Sequence, residues 1–301
     1  MSNKELFDLY LSNLSELSIE TRKTRQYVLN EFIDTFKDKS ILELTAADIR
    51  NYIIKKKENG TWKKPGTISV CLTIIKMLYK FLVTENYLSE FQNPARNIKP
   101  PRLHNDFSIR PLNAEEIRRL LKAVEAPIIP IKDKLIFYIA FTSGLRAKEI
   151  SNIKKNNIDL NDRLIYLPKE DVKGQYRAKK VPISERTKQL LEIYLIQHPT
   201  QSEYLFEGKR KGKMYRMFIH RTMKSIIDLA YPYKNTWNKP YGSHLARHTF
   251  ATRWIESGGD VHALRAIMGW NSLAQVDRYV NVSSDYIRKA AMKVEKKLLK
   301  V

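Results

Sequence analysis

The chain has 301 residues and a mass of 35.3 kDa, long enough for two domains of ordinary size. Its 54 Lys and Arg residues outnumber its 32 Asp and Glu residues, which gives a net charge of +22 and a pI near 9.8. So strong a positive charge is typical of a nucleic-acid-binding protein, although solubility or a ribosome-type partner would also account for it. The single cysteine, Cys71, excludes an intrachain disulfide and a cysteine-rich zinc site.

The histidines show no metal-ligand spacing. His244 and His248 are four residues apart, but the residues between them lack the glutamate of a His-Glu-x-x-His site. No apolar stretch approaches 18 residues, and the N-terminal Met-Ser-Asn-Lys is unlike a signal peptide. We therefore expect a soluble, intracellular protein that uses no metal and no membrane.

The first hundred residues show helical periodicity. A helix after Ser18 carries apolar residues at helical spacing, and Thr45, followed by Asp48, is typical of an N-cap. A long amphipathic helix follows from Thr67, with Cys71 on its apolar stripe as a core residue. Lysines flank the turn at Gly60, and beside a nucleic-acid partner we interpret them as phosphate contacts rather than as a solvated charge run. They are Lys55, Lys56, Lys57, Lys63 and Lys64.

Prolines interleaved with basic residues mark residues 93–111 as an extended linker between a helical domain at 1–92 and a second domain at 112–301. We interpret it as a strap along DNA, with a surface loop as the alternative. The basic residues assigned to DNA contact there are Arg96, Lys99 and Arg102. Residues 1–111 have a net charge of +5 and residues 112–301 a net charge of +17, so the second domain has most of the excess.

The second domain begins at Asn113, an N-cap with Glu116 three residues later. Residues 163–168 and 178–183 alternate as two strands, which places Lys173 at the tip of a hairpin. Helices resume after Ser184. Gly258 and Gly259 end one helix, and Asp260 caps the next. A C-terminal tail helix carries an apolar stripe at Ile287, Ala291, Val294 and Leu298. The pattern predicts a mainly α fold with a small antiparallel β-sheet.

Six side chains in the second domain form the set needed to attack a phosphodiester without a metal. They are Arg146, Lys173, His244, Arg247, Trp270 and Tyr279. Arginine forks across two phosphate oxygens and stays cationic, so the two arginines, with His244 and the Trp270 N–H, would stabilise transition-state charge. The Tyr279 phenol, with an unperturbed pKa of about 10, would be the nucleophile. Nearby cations would favour its ionised form. Lys173 would protonate the departing sugar oxygen.

Three further residues belong to this interpretation. Glu149, three residues after Arg146, would orient that arginine and is not itself catalytic. His248 is interpreted as a structural residue rather than a phosphate contact. Tyr286 is the rival nucleophile, at a different spacing from Trp270.

These residues lie in motifs that resemble those of the tyrosine recombinases, the integrase and Xer-type site-specific recombinases. Thr142-Ser-Gly-Leu-Arg-Ala-Lys-Glu149-Ile resembles the first arginine box, His244-Leu-Ala-Arg247-His248 the His-x-x-Arg box, and Val276-Asp-Arg-Tyr279 the nucleophile segment. Lys173-Gly174, followed by Lys180-Val-Pro-Ile183, is similar to the hairpin that carries the family's lysine. Two positions depart from the usual pattern: Trp270 stands where most members have His, and Ala246 stands where most have Leu.

The resemblance implies an N-terminal helical, SAM-like core-binding domain and an α/β catalytic domain that clamp double-stranded DNA. Tyr279 would form a 3′-phosphotyrosyl link and release a 5′-hydroxyl, and the 5′-hydroxyl of a partner duplex would reverse the reaction without a nucleotide cofactor. Four protomers would act on two sites, with the tail helix docking on a neighbour. A Xer-like recombinase that resolves chromosome or plasmid dimers and a mobile-element integrase both fit. A type IB topoisomerase and a DNA-binding protein that does not cut are the alternatives.

Overall fold

A computed structural model describes residues 1–101, 111–172, 178–233, 237, 242–280, 288 and 292. The chain divides into two compact units, Met1–Ser108 and Ile109–Val301. Helices dominate both, and the one sheet found among the described residues has three antiparallel strands in the second unit. The predicted mainly α fold with a small antiparallel sheet is confirmed. The apolar stripe of the predicted tail helix and the rival nucleophile Tyr286 lie outside the described residues.

The first unit is built from helices that begin at local caps. They are α1 (Asn3–Ser12), α2 (Ile19–Thr35), α3 (Ala46–Glu58) and α4 (Pro65–Thr84). The Ser18 hydroxyl accepts from the first turn of α2, and Thr45 and Asp48 form a reciprocal capping box at α3, as predicted. The core contains an aromatic cluster in which Phe32 packs edge-to-face on Tyr52 and Tyr79.

Helix α4 is the central helix of this core. Eight of its side chains are buried, including Cys71, which is the core residue that the sequence predicted. By length and composition alone, α4 is the one helix among the described residues that could cross a membrane. The expectation that no apolar stretch approaches that length is therefore wrong. The reason is that α4 combines its buried apolar face with exposed apolar side chains such as Val70 and Met77.

The first unit continues beyond its last helix. Ala95 and Ile98 are buried against the apolar core that α1–α4 share. The beginning of the predicted linker 93–111 therefore packs on the first unit, while residues 102–110, with Arg102, lie outside the described residues.

In the second unit, α-helices precede and follow the strands of the sheet along the chain. The helices are α5 (Ala114–Val124), α6 (Ile131–Ser143), α7 (Ala147–Ser151), α8 (Glu185–Gln197), α9 (Arg216–Ala230), α10 (Ser243–Glu256), α11 (Val261–Met268) and α12 (Ala274–Val280). Asn113 and Glu116 form the predicted capping box of α5, and Asp260 caps α11, also as predicted.

The sheet has the order β1 (Ile158–Asp159), β2 (Leu164–Leu167) and β3 (Lys179–Pro182). Strands β2 and β3 are the predicted hairpin pair, with Ile165 opposite Val181, and the two-residue β1 was not predicted. Successive residues of β3 alternate between the interior and solvent, because side chains of a strand point to opposite faces. That alternation buries Lys179 beside Val181, a placement with consequences for the site.

Candidate active site

Arg146 and Glu149 stand at the junction of α6 and α7. Gly144 ends α6 with φ +63°, a left-handed conformation, and a Cβ there would lie 2.7 Å from Phe250 Cδ1. The chain thus turns sharply into α7, and the Arg146 backbone N–H donates to Glu149 Oε2 over 2.9 Å. The Arg146 guanidinium donates to Glu149 Oε1, also over 2.9 Å. The two contacts hold the arginine at both its backbone and its side chain.

Arg247 reaches the same carboxylate from α10. It is buried, and its Nη1 and Nη2 donate to the carbonyls of Gly144 and Met268 over 2.9 and 2.7 Å. Its Nη1 also lies 4.0 Å from Glu149 Oε2. Burial, with Arg146 close by, lowers the pKa of Arg247 to about 10, so the guanidinium stays charged at neutral pH. The carbonyls fix the guanidinium between the end of α6 and the end of α11.

Lys179 is the site residue that the sequence interpretation missed. Its side chain is 1% exposed, and its Nζ lies 2.7 Å from Glu149 Oε1. The aliphatic part passes under Gly269, which ends α11 with φ +62°, and a Cβ at 269 would lie 2.2 Å from Lys179 Cε. A signal was present, since Lys179 shares strand parity with Val181 and Ile183 and so falls on the inward face.

One carboxylate therefore serves three cations. Burial would raise the pKa of Glu149, but Lys179, Arg247 and Arg146 outweigh burial and lower it, so the group is ionised. An ion pair ordinarily raises the pKa of its lysine. The pKa of Lys179 is instead lowered to about 8, because the effect of burial exceeds that of Glu149. The two arginines add to this lowering of the lysine pKa, since they share the one counter-charge with Lys179.

The proposed nucleophile Tyr279 lies on α12, and its ring is close to those of Trp270 and His248. Its ring stacks on that of Trp270, with 5.3 Å between centroids and 23° between planes. Arg247 Cζ lies 5.4 Å from the centroid of the Trp270 ring. The Tyr279 hydroxyl lies 2.7 Å from His248 Nδ1. This last contact was not anticipated, since His248 was assigned a structural role.

The cations near Tyr279 favour its ionised phenol, as expected, but burial has the larger effect on its pKa. Tyr279 is 4% exposed, and burial raises its pKa above the ordinary value. Arg247, Arg278 and Arg146 act in the opposite direction but do not compensate. The phenol is therefore protonated at neutral pH, and its proton must move before or during attack.

Of the six predicted catalytic residues, five are described. The structure brings together Arg146, Arg247, Trp270 and Tyr279 through the contacts above. His244, in the first turn of α10, is exposed, and its ring centroid lies 6.5 Å from that of His248. Lys173 lies outside the described residues. Together the side chains present two guanidinium groups, an indole and a phenol, which suit an anionic phosphodiester that is attacked by tyrosine.

The lysines predicted to contact DNA in the first unit are not equivalent. Lys55, Lys57, Lys63 and Lys64 are exposed. Lys56 differs: it is mostly buried, pairs with Glu31 and has its Nζ 5.3 Å from the Tyr52 ring centroid. An assignment of Lys56 to phosphate contact would require that this ion pair break. In the following segment Arg96 lies near Glu90 and over Phe91, and Lys99 is exposed.

Among the residues that the structure describes, no group of three or more His, Cys, Asp or Glu side chains could hold a metal ion. The positive charges described at this site belong to Arg146, Arg247 and Lys179.

Comparison with known proteins places these features in a family. Residues 110–285 match the model of the phage integrase family, and residues 5–86 match that of the phage integrase N-terminal SAM-like domain. The tyrosine recombinase XerA of Thermococcus onnurineus (strain NA1) is 27% identical over 253 residues, covering 83% of this chain and 82% of the relative. The tyrosine recombinase XerC of Chlamydia pneumoniae is 29% identical over 244 residues, covering 79% of this chain and 74% of the relative.

Two solved structures share the fold. The Tn1549 transposon integrase in complex with a circular intermediate DNA has a TM-score of 0.76 at 17% identity, covering 97% of this chain and 99% of that one. A lambda integrase dimer bound to a COC′ core site has a TM-score of 0.73 at 15% identity, covering 93% and 95%.

Proposed function

The chain belongs to the phage integrase family, and from that premise we propose that it is a site-specific DNA recombinase that cuts and rejoins DNA through Tyr279. The single observation that carries the assignment is the packing of Tyr279 on Trp270 next to Arg247, which in turn shares Glu149 with Arg146. A phenol O–H that lies close enough to Arg247 and Arg146 to be influenced by their charge supports the proposal of a shared phosphate site. A protein that merely bound DNA would have no need of such an arrangement.

The proposed reaction is a transfer of the phosphoryl group and consumes no nucleotide. The Tyr279 oxygen attacks the scissile phosphorus, a new P–O bond forms to tyrosine, and the bond to the 5′ oxygen breaks. Arg146 and Arg247 would hold the non-bridging oxygens as their charge grows. Lys173 would give a proton to the departing oxygen. In the second half-reaction the 5′-hydroxyl of a partner strand attacks the 3′-phosphotyrosyl link and releases Tyr279.

Double-stranded DNA is the proposed substrate and main partner. The net charge of +17 in residues 112–301 supports a surface that binds phosphates. Exposed lysines in the first unit and Lys99 beyond α4 would add contacts to DNA. We further propose a homo-tetramer on two DNA sites, with the C-terminal tail docking on a neighbouring protomer. A lambda integrase tetramer bound to a Holliday junction has the same fold, with a TM-score of 0.70 at 15% identity.

For the biological role we propose Xer-like recombination in the cytoplasm on chromosomal or plasmid DNA. The support is the similarity to XerA and XerC along most of their lengths. The likeness to the transposon and lambda integrases is a likeness of fold and does not by itself favour a mobile element.

The test identifies the target and the nucleophile together. Sheared DNA of the host is incubated with the wild-type protein or with Tyr279→Phe, denatured, and the DNA that stays covalently attached is sequenced. Wild type should capture one short sequence at a discrete position, and Tyr279→Phe should capture none while still retarding that DNA in a gel. A chromosomal or plasmid position supports the Xer-like role, and the ends of a mobile element support an integrase. Equal covalent capture by Tyr279→Phe would refute the assignment of the nucleophile.

A further inference from the structure

Tyr279 needs a group that takes its proton. The phenol is nearly inaccessible to solvent, and burial raises its pKa. Apart from His248, the nearby side chains cannot take this proton, because Trp270 offers only an N–H donor and the arginines are protonated cations. The proposed general acid, Lys173, serves the departing oxygen on the opposite side of the phosphorus. The forward step therefore lacks a proton acceptor in the mechanism as it stands.

His248 meets the geometric requirement for that acceptor. Its Nδ1 lies 2.7 Å from the Tyr279 hydroxyl, within the range for proton transfer between heavy atoms. The two rings are 5.8 Å apart between centroids and tilted by 33°. His248 lies one turn after His244 on α10 and directly follows Arg247, so the backbone that fixes the arginine also fixes the imidazole. With the proton on Nε2, the free Nδ1 accepts from the phenol O–H.

We propose that His248 is a catalytic residue that accepts the proton of Tyr279 as the phenol oxygen attacks phosphorus, and returns it when the DNA strand is rejoined. In the cleavage step the tyrosine O–H bond breaks, the proton bonds to His248 Nδ1, and the oxygen's electron pair forms the new bond to phosphorus. The 5′ oxygen leaves with a proton from the general acid. Rejoining reverses each transfer. This inference rests on the proposed function.

The surroundings of His248 keep it able to accept. Burial lowers the pKa of its imidazole below the ordinary value, and His244, Arg247 and Arg278 lower it further. His244 and Arg247 lie on the same helix, and Arg278 and Tyr279 face it from α12. The ring is therefore neutral at neutral pH. The proton taken from Tyr279 is held weakly, which suits a reaction that must run in both directions.

His244 is the rival acceptor. It is exposed at the start of α10, whereas His248 is part-buried and in hydrogen-bond contact with the reacting oxygen. The exposed imidazole suits a donor to a phosphate that arrives from solvent. The two histidines therefore have separable roles, which single substitutions can distinguish.

The experiment measures single-turnover formation of the covalent adduct on a nicked suicide substrate between pH 5 and 9. The proteins are wild type, His248→Asn, His244→Asn and the remote control His198→Asn. Asparagine at 248 can still accept a hydrogen bond from the phenol but cannot take its proton. At pH 7, His248→Asn should be slower than wild type by roughly 100-fold or more, the usual contribution of a general base.

The pH dependence of the deficit separates a base from a structural residue. Without the base, solvent must deprotonate the phenol, so the variant gains up to about tenfold in rate per pH unit while wild type does not. The ratio of wild-type to His248→Asn rates should therefore fall with rising pH, while the ratio for His244→Asn stays constant. The rates of His198→Asn should match wild type.

A constant ratio for His248→Asn, or a falling ratio for His244→Asn instead, would overturn the proposal. Absence of adduct in wild type on its captured site would contradict the proposed function and not this inference. Should His248→Asn unfold below the assay temperature, an NMR titration of the His248 ring in wild type decides. Its pKa must coincide with the acidic limb of the wild-type rate profile, and a mismatch would equally refute the role.

Discussion

Glu149→Gln should destabilise the second unit far more than the loss of one ordinary ion pair would. The wild-type carboxylate is completely buried and is shared by Lys179, Arg146 and Arg247. The glutamine has the same shape but no charge, so the buried ammonium of Lys179 loses its counter-ion. Removing one partner of a buried ion pair costs about 3–5 kcal/mol. For a unit of this size about 1 kcal/mol corresponds to about 2–4 °C, so the melting temperature should fall by roughly 6–20 °C.

Glu125→Gln is the matched control. Glu125 also has several partners, with Arg186 and the Tyr138 hydroxyl each at 2.7 Å and Lys134 at 3.8 Å, but it is 38% exposed. Exposed ion pairs contribute about 0–1 kcal/mol because water screens them. The control therefore retains the number of partners and changes only the burial of the carboxylate.

The assay is urea unfolding followed by tryptophan fluorescence, since Trp237, Trp254 and Trp270 lie in the second unit and only Trp62 in the first. Adduct formation on the suicide substrate is measured on the same preparations, and it should fall in Glu149→Gln because Arg146 and Arg247 lose their common anchor. If the free energies of unfolding of the two variants differ by less than about 1 kcal/mol, then burial does not account for the stabilising effect of Glu149.

Three other changes have defined outcomes. In a series at Trp270, the rate of adduct formation should decline from wild type through Trp270→His and Trp270→Phe to Trp270→Ala. Histidine keeps an N–H donor, phenylalanine keeps a ring that can stack on Tyr279, and alanine keeps neither. Equal rates in wild type and Trp270→Ala would show that the stack is dispensable. Burial lowers the pKa of Lys179 from its ordinary value of 10.5 to about 8 in the folded protein. Between these two pH values the unfolded chain therefore binds more protons than the folded one. The free energy of unfolding should therefore rise with pH across that window in wild type and rise less in Lys179→Met; identical slopes would argue against the buried lysine. Adduct formation should persist in EDTA, because arginine side chains supply the charge at the phosphate, and a loss that magnesium or zinc restores would contradict a mechanism without metal.

Features set by neighbouring residues could be predicted from the sequence. The capping box of Thr45 with Asp48, that of Asn113 with Glu116, and the Asp260 cap each join atoms three residues apart, so the sequence order alone brings them together. Strands β2 and β3 could also be predicted, because inward-facing and outward-facing residues alternate along neighbouring positions of each strand. Strand β1 has only two residues, too few for any alternation to be recognised.

Features set by distant partners could not be predicted. The Lys179–Glu149 contact joins residues 30 apart, and that of His248 with Tyr279 joins residues 31 apart. Parity placed Lys179 on the inward face, but a lysine is rarely buried unless a counter-ion meets it there, and the counter-ion came from another element. The net pKa shift of Tyr279 could not be predicted for the same reason: the arginines that lower its pKa were visible in the sequence, whereas the burial that outweighs them was not.

The crossing of Lys179 beneath Gly269 links two positions that the chain separates by ninety residues. A methyl group at 269 would meet the lysine stem, and the left-handed backbone there already disfavours any other side chain. Genetically, the two positions should behave as one locus. A Gly269→Ala allele is expected to be defective, and revertants that keep the alanine should arise by shortening the side chain at 179. Such a revertant would lose the third cation of Glu149 and leave the carboxylate to the two arginines. Drift at either position is thereby restrained by the other.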